Sequence, residues 1–248
     1  GDIHLDATIE KLRARFGVNV TTEEARVPYK ETIRGKAKAQ GRHKRQTGGK
    51  GQFGDCWLEL EAAGRGDGFA FENKVVGGAI PKNFIPAIEK GIRETMEKGF
   101  LAGYQVVDVK ATVYDGSYHD VDSSEQAFKI AGSLAFKAAA AAAQPVILEP
   151  VLQLEVEVPD DAVGDVVGDL NTRRGRLQGM DPISAGKTGV RAQVPMATMM
   201  RYALDLRSIT KGRGRFRQAF SHYDELPQHE AQALIAEYEK HKKEEEDH

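Results

Sequence analysis

The chain has 248 residues, 40% apolar and 29% charged, a globular composition with room for one large domain or two ordinary ones. Its longest apolar runs, such as Ala138 to Ala143, fall far short of a membrane span, its one cysteine (Cys56) excludes an internal disulfide, and its N-terminus lacks a signal-peptide layout, so the expected location is cytoplasmic. The net charge of −2 conceals segregation: seven Lys or Arg and no acid lie between Thr32 and Asp55, eleven Lys or Arg from Arg173 to Arg217 face only Asp181 and Asp205, and nine acids follow from Asp224 onward.

Leu5, Ile9, Leu12 and Phe16 recur at helical spacing, with Asp2 placed to cap the helix and Gly17 to stop it, and Val18 to Thr21 reads as a strand. A helix and one strand bury no core alone, so the chain reads as a fragment of something longer. From Pro28 to Val146 the pattern is strand, basic loop, strand, strand, helix, strand, loop, helix. The strands fall near Tyr29 to Ala39, Cys56 to Glu61, Phe69 to Val76 and Val106 to Val113. Phe84, Ile85, Ile88, Ile92 and Met96 line one helix, stopped at Gly99. Ala127, Ile130, Ala131, Leu134 and Ala135 line the next, with Ser123 and Gln126 as its capping box. Leu152, Leu154, Val156 and Val158 alternate with polar residues as a half-buried strand. A helix carrying Val163, Val166, Val167 and Leu170 follows, then strands at Arg176 to Gly179 and Val190 to Val194, a helix carrying Met196, Met199, Ala203 and Leu206, and a strand near Phe216 to Phe220. That order is βαββαβ, the ferredoxin-like arrangement, with the junction between the two domains near Glu149-Pro150. The end reads as a helix around Ala233, Leu234 and Tyr238 that frays into an acidic tail. The fold class is α+β.

Several enzyme motifs fail on context. Gly49-x-Gly51-x-x-Gly54 is followed by a strand where a dinucleotide site needs a helix, and Gly186-Lys187-Thr188 lacks the earlier glycine of a phosphate loop and joins two strands. Asp115, His119, Asp120, Asp122 and Glu125 cluster like hard metal ligands, yet their spacing matches no calcium loop, and Asp122, Ser123 and Ser124 serve better as helix caps. The basic stretch is different. Its glycines allow close backbone approach, Gln46 and Gln52 carry hydrogen-bonding amides, and Phe53 is either a stacking ring or a core anchor; charge and composition together favour nucleic acid over a plain surface hairpin.

Arg45-Gln46-Thr47-Gly48-Gly49-Lys50-Gly51-Gln52-Phe53-Gly54, Gly77-Gly78-Ala79-Ile80-Pro81, Leu101-Ala102-Gly103-Tyr104, Asp115-Gly116-Ser117-Tyr118-His119-Asp120-Val121-Asp122-Ser123-Ser124-Glu125, Gly164-Asp165-Val166-Val167-Gly168-Asp169-Leu170 and Leu206-Arg207-Ser208 closely resemble bacterial elongation factor G, in order from Gly1 to about Pro227. The resemblance implies that residues 1–26 are the second half of domain III, a truncated ferredoxin-like fold. It makes residues 27–147 domain IV, like domain 2 of ribosomal protein S5 with a left-handed βαβ crossover, and residues 148–227 a ferredoxin-like domain V, leaving 228–248 as a C-terminal helix and acidic tail. It further implies a translational GTPase that promotes tRNA-mRNA translocation, with Gln46, Thr47, Gly48, Gly49, Lys50, Tyr118, His119 and Asp120 entering the decoding site. Arg42, Lys44, Arg45, Arg173, Arg174, Arg176, Lys211 and Arg213 are then phosphate contacts to rRNA. Partners implied are both ribosomal subunits, rRNA and tRNA-mRNA, with no membrane, the protein being a monomer. GTP and magnesium belong to a G domain outside these residues, which are expected to carry no catalytic residue, metal or cofactor. Gly54-Asp55-Cys56-Trp57 with the Ala-rich run and long tail is similar to elongation-factor-G-like paralogues acting in ribosome recycling or rescue. A tetracycline ribosomal protection protein shares the architecture, and a stand-alone RNA-binding module without GTPase is the alternative from another class.

Overall fold

The computed structural model describes residues 2–21, 26–46, 49 and 51–246. It is an α+β structure of two compact units, one built from residues 29–148 with 225–248 and the other from residues 1–28 with 149–224.

In the first unit the stretch expected to be a basic loop is mostly strand. After β1 (Lys30–Ile33), β2 (Lys36–Arg45) pairs antiparallel with β3 (Gln52–Ala62) in unbroken register from Lys36↔Glu61 to Arg45↔Gln52. Strand alternation explains why Lys and Arg sit comfortably there: Lys36, Lys38, Gln40, Arg42 and Lys44 point outward, while Ala37, Ala39 and Gly41 turn toward the core. β4 (Phe69–Asn73) and β5 (Val109–Ser117) complete a sheet of order β2-β3-β5-β4, in which β4 and β5 run parallel. Helix α2 (Ile85–Lys98) connects these two, and α3 (Glu125–Ala142) follows β5.

The core of this unit joins Leu58, Leu60, Ala111 and Val113 of the sheet to Ile88, Ile92, Phe128, Ala135 and Phe136 of the helices. Each fully buried large apolar side chain is worth roughly 1.5–3 kcal/mol. The alanines of α3 set its distance from the hairpin: a Cβ at Gly41 would lie 2.0 Å from the Ala131 carbonyl oxygen, and one at Gly54 2.4 Å from that of Ala127. Helix backbone therefore rests directly on strand backbone. The helix cap falls one residue later than expected: Ser124, not Ser123, accepts from the Ala127 N–H, at 3.2 Å.

β1 pairs with the start of β6 (Pro145–Pro159), and its Glu31 is fully buried. The Glu31 carboxylate accepts four backbone N–H groups, from Phe100 (2.8 Å), Leu101 (3.0 Å), Ala102 (2.7 Å) and Tyr104 (2.9 Å). That loop packs against α6 (Gln228–Glu246), whose partly buried stripe is Ala231, Leu234, Ile235 and Tyr238, with buried Leu226 and Ile147 beside it. The C-terminal helix extends to Glu246, and Ala233 is exposed rather than on its packed face.

In the second unit β6 continues as Leu152, Leu154, Val156 and Val158 pointing into a core with Val166, Leu170, Val190, Ala192, Val194, Tyr202 and Leu206. A 3-10 turn at Asp160–Ala162 leads into α4 (Val163–Thr172), and a hairpin of β7 (Arg176–Ser184) and β8 (Lys187–Pro195) follows, longer than the two short strands expected. A 3-10 turn at Met196–Met199 precedes α5 (Tyr202–Ile209), so Met196 and Met199 lie ahead of the helix, and β9 (Arg215–Glu225) closes the unit. The strand order is β9-β6-β8-β7. Gly186-Lys187-Thr188 is the turn and start of β8, as its flanking strands required. Helix α1 (Asp2–Phe16) ends at Gly17, at φ +63°, whose N–H donates to the Arg13 carbonyl at 3.0 Å. The expected cap at Asp2 and the packing of Leu5 lie outside the described side chains. Val18 to Thr21 is not a strand: among the described residues nothing pairs with it, and Val18 and Val20 are exposed.

Candidate nucleic-acid interface

Two loops distant in sequence meet at the end of the β2-β3 hairpin. The N–H of Gly51 donates to Asp122 Oδ1 at 3.1 Å, the Phe53 N–H to the Asp122 carbonyl at 2.9 Å, and Phe53 bridges to Ser123 in parallel fashion. A Cβ at Gly51 would stand 2.8 Å from the Asp122 carboxylate, so a larger residue there would push the Asp122 side chain out of this contact. The loop after β5 is closed on itself: the His119 N–H donates to Ser123 Oγ at 2.9 Å, and the Ser123 N–H returns to the His119 carbonyl at 3.0 Å. Ser123 thus ties the loop rather than capping the helix.

The Phe53 ring, 3% exposed, meets the His119 ring edge-on with centroids 4.2 Å apart, and Arg42 lies over Phe53 at 5.4 Å. Of the two readings of Phe53 the core anchor holds, since a ring so covered cannot stack on a base. Its burial instead presents His119 at the surface, beside exposed Tyr118 and Asp120. Gln46 and Gly49 are exposed, while the Gln52 side-chain oxygen Oε1 is engaged by His43 Nε2 at 2.8 Å. Thr47, Gly48 and Lys50 lie outside the described residues.

Charge along β2 is graded. At the base Lys36 pairs with Glu59 at 2.8 Å and Glu61 at 3.5 Å, and Lys38 with Glu59 at 3.3 Å. The hydrogen bond from Lys36 holds the Glu59 carboxyl below the usual carboxylate range. Toward the tip the cross-strand partners of Arg42 and Lys44 are Asp55 and Phe53. The Asp55 carboxylate is nearly buried and committed to Gln40 Nε2 (2.7 Å) and Ser117 Oγ (2.6 Å). Among the described residues, exposed Arg42, Lys44 and Arg45 form no ion pair, and Asp55, Asp120 and Asp122 lie at the same end of the unit without one.

The second unit divides its expected phosphate contacts. Arg173 is largely covered: it donates to Asp169 at 2.8 Å, to Asp205 at 2.5 Å and to the Thr198 carbonyl, and lies 5.0 Å over the Tyr202 ring. Burial pushes its pKa down, but the Asp169 and Asp205 hydrogen bonds outweigh that and raise it. Arg174 forks onto buried Glu149 at 2.7 and 2.8 Å. Both guanidinium groups brace the end of α4. Arg176 is exposed, 3.3 Å from Asp224, Arg213 reaches Asp161 at 2.9 Å, and Lys211 is exposed in the turn after α5. The acids near His119 converge on no common point, and among the described residues no group of three or more His, Cys, Asp or Glu is placed to hold a metal ion. Missed from sequence were Asp122 as the clamp on Gly51, a contact 71 positions apart with no local signal, and Trp57 with Tyr114 on the outer sheet face, which strand alternation alone could have indicated.

Residues 25–144 match the family model described as Elongation factor G, domain IV, and residues 146–234 the model described as Elongation factor G C-terminus. A relative from Aquifex pyrophilus described as Elongation factor G is 53% identical over 237 residues, covering 96% of this chain and 34% of the relative. A solved crystal structure from Thermus thermophilus is 47% identical with a TM-score of 0.83, covering 97% of this chain and 36% of that one. The chain therefore spans about a third of the length of the curated relative it matches.

Proposed function

The chain belongs to the elongation factor G family, and from that premise we propose that it is the ribosome-binding portion of a translational GTPase that promotes movement of tRNA and mRNA. Residues 27–147 act as domain IV, with the S5-like fold supported by the parallel β4-β5 pair joined through α2; residues 148–227 act as a ferredoxin-like domain V, supported by the βαββαβ order and the β9-β6-β8-β7 sheet. Residues 1–26 are read as the second half of domain III. GTP hydrolysis resides in the part of the longer protein beyond these residues.

The observation that carries this reading is the locked tip. Asp122 and the Phe53–His119 contact tie the start of β3 to the loop after β5, and among the described residues Arg42, Lys44 and Arg45 beside them form no ion pair. A tip tied in this way is able to occupy a position that tRNA leaves, and its exposed cations draw it to RNA phosphate. GTPase-driven rearrangement moves the unit, and the tip then hinders return of the tRNA while Gln46 and His119 hydrogen-bond or stack at the decoding site. Arg176, Lys211 and Arg213 are the domain V groups proposed to meet large-subunit rRNA.

In the full-length protein, His119→Ala and Gln46→Ala are expected to slow tRNA movement by about 5- to 100-fold, the scale of one lost base contact. Ribosome-stimulated GTP hydrolysis stays within about twofold of wild type, well below that range. Equal loss of both activities overturns the tip assignment.

A further inference from the structure

The sheet face opposite the core of the first unit holds a cluster that the tip does not use. Core-facing Cys56, Leu58 and Leu60 alternate with half-buried Trp57, Glu59 and Glu61, and core-facing Ala111 and Val113 with Lys110 and Tyr114, while Thr112 between these two is covered by its neighbours. Trp57 and Tyr114 are both partly exposed, their centroids 6.5 Å apart and their planes tilted by 44°, so neither ring covers the other's face. Lys38 Nζ sits 4.9 Å over Tyr114, and Gln40, the register partner of Trp57, is exposed. Arg42 follows two residues on and continues the row to Phe53 and His119.

We propose that this open face is a second nucleic-acid contact, on which a single-stranded RNA segment stacks a base against Trp57 or Tyr114 while Lys38 and Arg42 meet its phosphates. The choice of RNA over other polyanions rests on the tip reading above, with which the face is continuous. Three observations favour it. Aromatic rings displayed on the middle strands of a sheet, here the antiparallel β3-β5 pair, are a base-stacking platform, tolerant of sequence because every base has a π-face. Alternate residues along β2 recur at about 6.8 Å, a spacing on the scale of successive phosphates in an extended strand. The pairing of Lys36 and Lys38 with Glu59 leaves this end of the face only modestly cationic, so that planar stacking, not charge alone, selects the occupant. An acidic peptide would meet Glu59 and Glu61 and gain little from the rings.

Trp57 is the only tryptophan of the chain, so its emission reports on this face alone. Titrating the 248-residue chain with a short oligouridylate is expected to quench Trp57 saturably. Tyr114→Ala should weaken binding about 5- to 100-fold and Tyr114→Phe should retain it. An unchanged melting temperature verifies that Tyr114→Ala is folded; if it is not, Lys38→Gln takes its place, with loss of affinity expected. RNA bound by fluorescence anisotropy, lost in His119→Ala, but with Trp57 emission unmoved overturns the face and leaves the tip reading standing. No RNA binding by either readout overturns both. Equal or tighter quenching by a polyglutamate peptide identifies a protein-binding surface and overturns the RNA assignment.

Discussion

Cys56 is wholly covered at the centre of β3, and burial, with the Asp55 charge beside it, pushes its thiol up to about 12. A raised pKa means that the neutral thiol is what the fold stabilises. That contribution is complete below the ordinary thiol value and is lost as pH climbs from about 9 toward 12. Native protein at pH 8 is expected to resist alkylation by iodoacetamide, becoming labelled only in denaturant; prompt labelling of the folded chain refutes the burial account. Gly54 is constrained by space rather than by its backbone angles: Gly54→Ala places a methyl against the Ala127 carbonyl and should cost about 1–3 kcal/mol in urea unfolding, as other overpacked sites do. A stability within 0.5 kcal/mol of wild type, taking about 0.5 as the resolution of such differences, would show that α3 shifts freely away from the hairpin. These constraints are illegible in sequence, because Gly54 and Ala127 are neighbours only after folding.

At the level of elements, the β1 carboxylate and the loop it holds behave as one part. Glu31 replaces the hydrogen-bonding that the turn from Phe100 to Tyr104 would otherwise find in water, and a Cβ at Gly103 would meet the Tyr238 ring of α6 at 2.6 Å. Glu31→Gln offers an amide N–H₂ to a site made of N–H donors, and a loss of roughly 2–4 kcal/mol is expected from weakened and unmade charged hydrogen bonds. Amide exchange should accelerate in Phe100 to Tyr104 and in α6 together. Faster exchange in the loop with α6 unchanged would separate the two. Elements whose apolar residues repeat at 3.6 or 2 positions, such as α2 and β6, were legible in sequence because one buried face leaves that period in the chain. The extension of β2 to Arg45 was hidden, since its outward side chains are cations that by composition resemble a loop.

Across the whole molecule, charge is the organising variable. The β2-β3 hairpin draws its base together with Lys–Glu pairs and leaves its far end unpaired, while acids gather beyond Asp224. If about five cations meet phosphate, log affinity for single-stranded RNA should fall with log salt at a slope of about −3.5. A flat response would remove the electrostatic basis of the proposed contact. By itself the sequence determined the α+β class, the periodic helices and strands, the segregation of charge and, through motifs shared along nearly its whole length, the family. These are properties of local order, carried by residues within a few positions of one another. Only the tertiary structure decided that Phe53 is an anchor for His119, that Asp122 clamps Gly51, and that Arg173 and Arg174 serve the protein's own carboxylates. Each depends on which side chains burial brings within hydrogen-bonding or van der Waals reach, and the linear order of the chain does not record that distance.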